Sequence, residues 1–262
     1  MNHLRKSCLV FAMSFLTVIS ATANDQEKGL QIAKEMKARD IGWGNSQSEM
    51  TMTLRTKKGQ EIVRKMRIKS LEVDGDGDKA LTIFDTPLDV KGTSFLSFSH
   101  TIGDDDQWIY LPAVKRVKRI SSRNKSGPFL GSEFAFEDLS SFEVEKFGFT
   151  YLRDEEVNGQ SGVVLEMDPV DKHSGYTRAQ AWVDTVHYRT HKIDFYDRRN
   201  TLLKTLTLED YQLFKDKYWR PMSQKMVNHK SGKSTDLAIK KLEFDAGLTV
   251  TDFNESRLKR AR

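Results

Sequence analysis

The stretch Glu49–Asp85, EMTMTLRTKKGQEIVRKMRIKSLEVDGDGDKALTIFD, decides how the chain is read. Met50, Met52 and Leu54 alternate with Thr51, Thr53 and Arg55, the period of two that places apolar side chains on one face of a strand. KKGQ and DGDGDK interrupt the pattern as turns, and a further β-rich run follows each. The same grammar continues in QWIYLPA, FEVEKFGFTYL, SGVVLEMDP, AQAWVDT, YRTHKIDFYD, LLKTLTLEDYQLF, YWRPMSQKMVNH and STDLAIKKLEF. Turn signals such as Asn158-Gly159 and NHKSGKST separate these runs. Ten or eleven consecutive strands with hardly a helix between them predict an antiparallel meander and exclude βαβ alternation. Ahead of the strands, NDQEKGLQIAKEMKARD reads as an amphipathic helix with Leu30, Ala33 and Met36 on one stripe. DFNESRLKR reads as a short closing helix or a frayed tail. The expected fold is mainly β: a single half-open antiparallel barrel with an N-terminal helix, its hydrophobic cavity closed by short helices and loops.

The N-terminus carries the plan of an export signal. Arg5 and Lys6 precede the apolar run Cys8 to Ile19, and Ala21-Thr22-Ala23 supplies small residues for cleavage after Ala23. The expected organisation is therefore a signal peptide over 1–23 and one domain over 24–262, in a periplasmic protein. Cys8 is the single cysteine and falls in the signal, so the remainder has neither disulfides nor thiol chemistry. The formal net charge of +5 becomes +3 without Arg5 and Lys6, too mild for a bulk nucleic-acid binder.

Several motifs fail on inspection. DGDGDK from Asp74 puts Lys79 and Asp85 where a calcium loop needs glycine and glutamate, and it reads as a hairpin turn. SGKST has Val227 where a phosphate loop needs glycine. His187 and His191 fall in a period-two segment, so hydrogen-bonded or exposed histidines are expected there, not a metal pair. Ser122 and Lys125 have a serine acyl-enzyme spacing, yet Gly127-Pro128 follows at once and the supporting motifs are missing. No metal, cofactor or catalytic group is expected, and the chain is read as a binding protein.

The stretch from Tyr110 to Leu139 carries the remaining signal. Lys115, Arg116, Lys118, Arg119, Arg123 and Lys125 occupy eleven residues, and the aromatic run Phe129, Phe134, Phe136 follows directly. Cations beside apolar bulk suit a ligand with an acidic head and a hydrocarbon body. Trp108, Tyr110, Leu111, Phe129, Leu130, Phe134 and Phe136 are the expected cavity or gate residues, with Gly127 and Gly131 as hinges of a lid. Lys115, Arg116, Arg119 and Arg123 are the expected contacts to a head group, a membrane surface or a partner. The same cations could instead serve a docking module that holds no ligand.

This stretch also resembles the LolA-like family of outer-membrane lipoprotein-sorting proteins. Tyr110-Leu111-Pro112, Arg119-Ile120, Gly131-Ser132 and Glu137-Asp138-Leu139 match its pattern in order, with Glu133 in place of Asp and Phe136 in place of Tyr. The resemblance implies a periplasmic half-open barrel with a cavity for acyl chains, carrying lipid or lipoprotein without chemistry. It also implies a transporter of the RND or MMPL type as partner, transient contact with a membrane surface, and a monomer.

Overall fold

A computed structural model describes residues 15–260. Residues 1–14, most of the expected signal peptide, lie outside the described residues. Helix α1 (Phe15–Arg39) runs through the expected cleavage point without a break, so it begins ahead of Asn24, where the expected helix starts. It is not long and apolar enough to cross a membrane.

Thirteen strands follow and form one antiparallel sheet. The first six are β1 (Asn45–Arg55), β2 (Glu61–Leu71), β3 (Lys79–Thr86), β4 (Ser94–Phe98), β5 (Asp106–Leu111) and β6 (Arg116–Ile120). The others are β7 (Phe147–Val157), β8 (Gln160–Pro169), β9 (Tyr176–Asp184), β10 (Thr190–Asp197), β11 (Leu202–Phe214), β12 (Tyr218–Asn228) and β13 (Ser234–Phe244). Each half is a meander, and β1 pairs with β13 to join the halves, leaving β6 and β7 as the two free edges. The sheet curls into an open barrel.

The strand count corrects the expected ten or eleven, and the two missed strands have separate causes. Ser94–Phe98 is almost wholly buried because Phe95 packs into one core and Leu96 into another, which erases the polar alternation. Arg116–Ile120 is a five-residue edge strand whose cations read as loop, yet charge is a usual feature of an edge.

The core has an inside and an outside. Within the curl, Met52, Met66, Phe84, Phe95 and Met226 form one cluster; Ala33 of α1 joins Phe149, Leu165, Ala181 and Val183 in another. The helix crosses β7 so closely that a Cβ on Gly29 would fall 2.8 Å from the Tyr151 nitrogen, so only glycine fits. On the outer face Leu81, Ile83 and Leu96 are covered by Phe253 and Leu258 of the C-terminal segment. That segment is a pair of 3-10 turns, Val250–Asp252 and Glu255–Arg260, and closes the outer core instead of fraying.

Candidate ligand-binding site

The segment 121–146 must cross from edge to edge of the open barrel, and it does so through the interior. Phe129 and Phe134 are 1% and 2% exposed, sunk in the inner core with Phe136 against them. Phe129 meets Phe95 at 5.1 Å and Phe136 at 5.6 Å between ring centroids. A tight turn places them, with Leu130 (φ 49°) and Gly131 (φ 79°) both left-handed and Phe129 N donating to Phe134 O at 2.7 Å.

Polar groups hold this aromatic plug. Lys204 Nζ donates to Asp138 Oδ2 at 2.8 Å and to the Glu133 carbonyl at 2.9 Å. Tyr176 Oη donates to Asp138 Oδ1 at 2.8 Å, and Asn228 Nδ2 to Glu133 Oε2 at 2.7 Å. Glu137 accepts from Ser174 Oγ and from the Gly175 nitrogen. Burial raises the Glu137 carboxyl above its usual range, with the Asp138 charge adding to the effect. Burial likewise pushes the Tyr176 hydroxyl well up, ahead of Asp138. Arg64 Nη1 caps the Leu130 carbonyl at 2.8 Å. The acidic residues of the family-like motif are therefore clamps, and the expected lid is a packed, pinned crossover.

The other predicted residues separate by strand parity. Ile109 faces the plug, and Leu111 packs against the same inner cluster. Trp108 and Tyr110 point to the outer face, where Trp108 meets Phe98 edge-on at 5.2 Å under the C-terminal cap. Lys115, Arg116, Arg119 and Arg123 are exposed, along β6 and just beyond it. Arg119 pairs with Asp106, whose other oxygen lies 3.3 Å from His100 Nε2. The chain thus brings Leu111, Phe129, Leu130, Phe134 and Phe136 together and leaves Trp108 and Tyr110 on the other side of the sheet.

A cavity of about 850 Å³ opens beside the plug, and none of the predicted site residues lines it. The crossover itself supplies a wall at Leu139–Phe142. The C-terminal turn of α1 gives Met36, Lys37, Arg39 and Asp40; the long β11–β12 hairpin gives Tyr211, Leu213 and Trp219. Met167, Ala181, Ile193 and Leu208 are the sheet floor. The hairpin arm projects past β13, whose pairing with β12 spans Ser223–Val227, so Pro221 sits where β12 has a neighbour on one side.

Cations crowd this mouth, but most are already engaged. Lys37 pairs with Glu143 at 2.9 Å, Arg39 with Glu35 at 2.7 Å, and Arg220 with Asp40 at 2.5 Å. Arg189 pairs with the fully buried Asp184 at 2.8 Å and spreads over the Trp219 ring at 4.6 Å. Burial raises the Asp40 carboxyl although Arg220 opposes it. His191 fulfils its expected hydrogen-bonded role, between Asp184 and Asn158. His187 lies in the β9–β10 turn, not on a strand, and meets Trp219 at 4.9 Å. Sequence reading passed over Arg189 and Trp219 because both lie in runs that look like ordinary strands. The alternation of aromatics with basic residues in YRTHK and YWRP was the available signal.

The comparison with solved structures now bears on this geometry. A protein domain from Vibrio parahaemolyticus, described as outer membrane lipoprotein-sorting, shares 60% identity over 90% of this chain and all of its own, with a TM-score of 0.88. The chain belongs to this lipoprotein-sorting family. A DUF1329 family protein from Desulfovibrio piger is similar at 29% identity over 89% of this chain and 99% of its own, TM-score 0.84. A LolA superfamily protein from Nitrosomonas europaea shares the fold at 20% identity over 86% of this chain and 97% of its own, TM-score 0.68. A family profile described as that of an uncharacterised protein matches residues 76–260, and no curated protein matches the chain.

Proposed function

We propose that this family member is a periplasmic carrier that holds a lipid, a lipoprotein acyl chain or another amphipathic hydrophobe in the cavity between α1, the sheet and the β11–β12 hairpin. The observation that carries this reading is the cavity itself. Its volume of about 850 Å³ lies within the ~300–1,000 Å³ of ordinary ligand sites, and its apolar floor faces a polar mouth. The floor of Met167, Ala181, Ile193 and Leu208 suits hydrocarbon, which gains roughly 25 cal/mol for each Å² removed from water. The crossover walls the cavity at Leu139–Phe142, so a chain that enters from the helix side stops against it.

The exposed cations along and beside β6 are the second element of the proposal. Lys115, Arg116, Lys118, Arg119 and Arg123 project from the free edge and contact an anionic membrane surface or a membrane transporter of the RND or MMPL type during transfer. The protein acts as a monomer and without chemistry in this scheme.

Organic extraction and mass spectrometry of the protein purified natively from a bacterial periplasm test the carrier reading. A stoichiometric lipid or acylated species is the expected result. An empty protein that also fails to take up a fluorescent fatty acid would sink the proposal and leave a docking module.

A further inference from the structure

Among the described residues, two carboxylates around the cavity lack a partner, Asp216 on the exposed hairpin turn and Asp78, which is the half-buried one. Asp78 immediately precedes β3 and lies on the cavity wall, and among the described residues none donates a hydrogen bond to its carboxyl or pairs with it. Its backbone, by contrast, is fixed on both sides. Asp78 N donates to Ser141 Oγ at 3.2 Å, and the Asp78 carbonyl accepts from Ser99 N at 2.9 Å. The preceding Gly77 is pressed so closely on Ser99 that a Cβ would lie 2.6 Å from its carbonyl carbon. A half-buried carboxyl is thereby held in the cavity wall without a protein partner among the described residues.

The surrounding charges sharpen the contrast. Lys37, the nearest cation to influence Asp78, is bound to Glu143 and to the Phe142 carbonyl. Lys79 also lines the cavity, but its ammonium lies 3.8 Å above the Phe98 ring of the outer core. The Arg39, Arg189 and Arg220 guanidiniums all have carboxylate partners. The unsatisfied polar function in this cavity is an acceptor, so it complements a donor.

We propose that Asp78 is the residue that selects the cargo's polar group, and that the preferred ligand is an amphiphile bearing an ammonium, such as an amine or a zwitterionic ethanolamine head, not an acidic one. This rests on the carrier reading and replaces the acidic head expected from the basic run. The groups facing Asp78 are Lys37 from α1, Asp40 just after it, Glu72 beyond β2, and Glu143 from the crossover. Glu143 and Asp40 are already paired with Lys37 and Arg220, and Glu72 accepts from the Gly42 and Gly44 nitrogens, which leaves Asp78 as the acceptor without a partner in this group. Burial, ahead of these neighbours, pushes the Asp78 carboxyl up to about 7. An arriving ammonium meets a half-ionised group near neutrality, and its affinity rises with pH as that group ionises.

Displacement of the dye N-phenyl-1-naphthylamine by dodecylamine, dodecanol and laurate, in the full chain and in Asp78→Asn, tests this. Dodecylamine should bind about tenfold more tightly than dodecanol at pH 8, the worth of a hydrogen bond to a charged group. That preference should shrink at pH 6 and vanish in Asp78→Asn. The exposed cavity-mouth control Asp216→Asn should retain it, and dodecanol bound equally by all three proteins shows that the variants are folded. Equal affinity for amine and alcohol, a preference for laurate, or a preference that survives Asp78→Asn overturns the assignment while the carrier reading stands. If neither the dye nor any amphiphile binds, both fall together.

Discussion

Lys204 and Asp138 form an ion pair at 2.8 Å with both side chains about 5% exposed, and this contact joins the edge-to-edge crossover to the middle of the sheet. The lysine comes from β11 and the aspartate from the short 3-10 turn Phe136–Leu139, 66 residues earlier. A buried charge of this kind is tolerated because the partner and two further donors, Tyr176 Oη and Ala135 N, surround the carboxylate. The aromatic plug above the pair excludes water from it.

Breaking one side of that pair leaves an uncompensated buried charge. Lys204→Met is expected to cost about 3–5 kcal/mol in denaturant unfolding, and the double variant Lys204→Met/Asp138→Asn to recover part of the loss. A single variant as stable as the parent would show that the crossover does not depend on this contact.

The Phe129 ring is held by packing. Phe129→Ala should destabilise by about 3–5 kcal/mol because the ring is fully enclosed by Phe84, Phe95 and Phe136. Tyr110→Ala, on the outer face and half-buried, should cost clearly less in the same unfolding series.

Leu208 lies on the cavity floor, partly buried. Leu208→Trp fills space that is open, so the melting temperature should change by no more than a few degrees. Co-purified lipid, measured by extraction, should fall sharply. Unchanged lipid content would place the cargo elsewhere in the barrel.

The unpaired Asp78 carboxyl has a stability signature of its own. Its folded value near 7 exceeds the unfolded value of 3.8, so the folded state holds the extra proton between them. Stability therefore declines as pH rises through that window and is lowest above it. Asp78→Asn should be more stable than the parent at pH 8 and should flatten the slope between pH 4 and 7 in thermal scans. Asp76 works in the opposite sense. The Thr101 N–H and the His100 ring hold its carboxyl down to about 2, so its contribution is complete above 3.8 and fades as pH falls toward 2.

The basic edge has a membrane assay. Each cation near an anionic surface contributes about 1 kcal/mol, so Arg116→Gln/Lys118→Gln/Arg123→Gln should lower binding to phosphatidylserine vesicles by roughly a hundredfold at low salt. Co-sedimentation reads the change. Binding that is weak in the parent or indifferent to the substitutions would argue for a protein partner at this edge.

Local pattern carried much of the architecture. Alternation along Met50, Met52 and Leu54, and the glycine turns after each run, announced an antiparallel meander because strand period and turn chemistry are local properties. The motif from Tyr110 to Leu139 likewise pointed to the right family. Two strands escaped, one because both its faces are covered and the other because an edge carries charge.

The site was a different matter. Asp78 lies more than a hundred residues before Arg189 and Trp219, and nothing in their own neighbourhoods says that they share a cavity. They meet because β1 pairs with β13, which brings the two halves of the chain round one interior. The same closure turned Phe129 and Phe134 from a supposed gate into a plug, since a crossover between free edges must run through the space they enclose. Periodicity states which residues share a face of one strand; which faces look at each other depends on long-range pairing, and the chemistry of this cavity is set there.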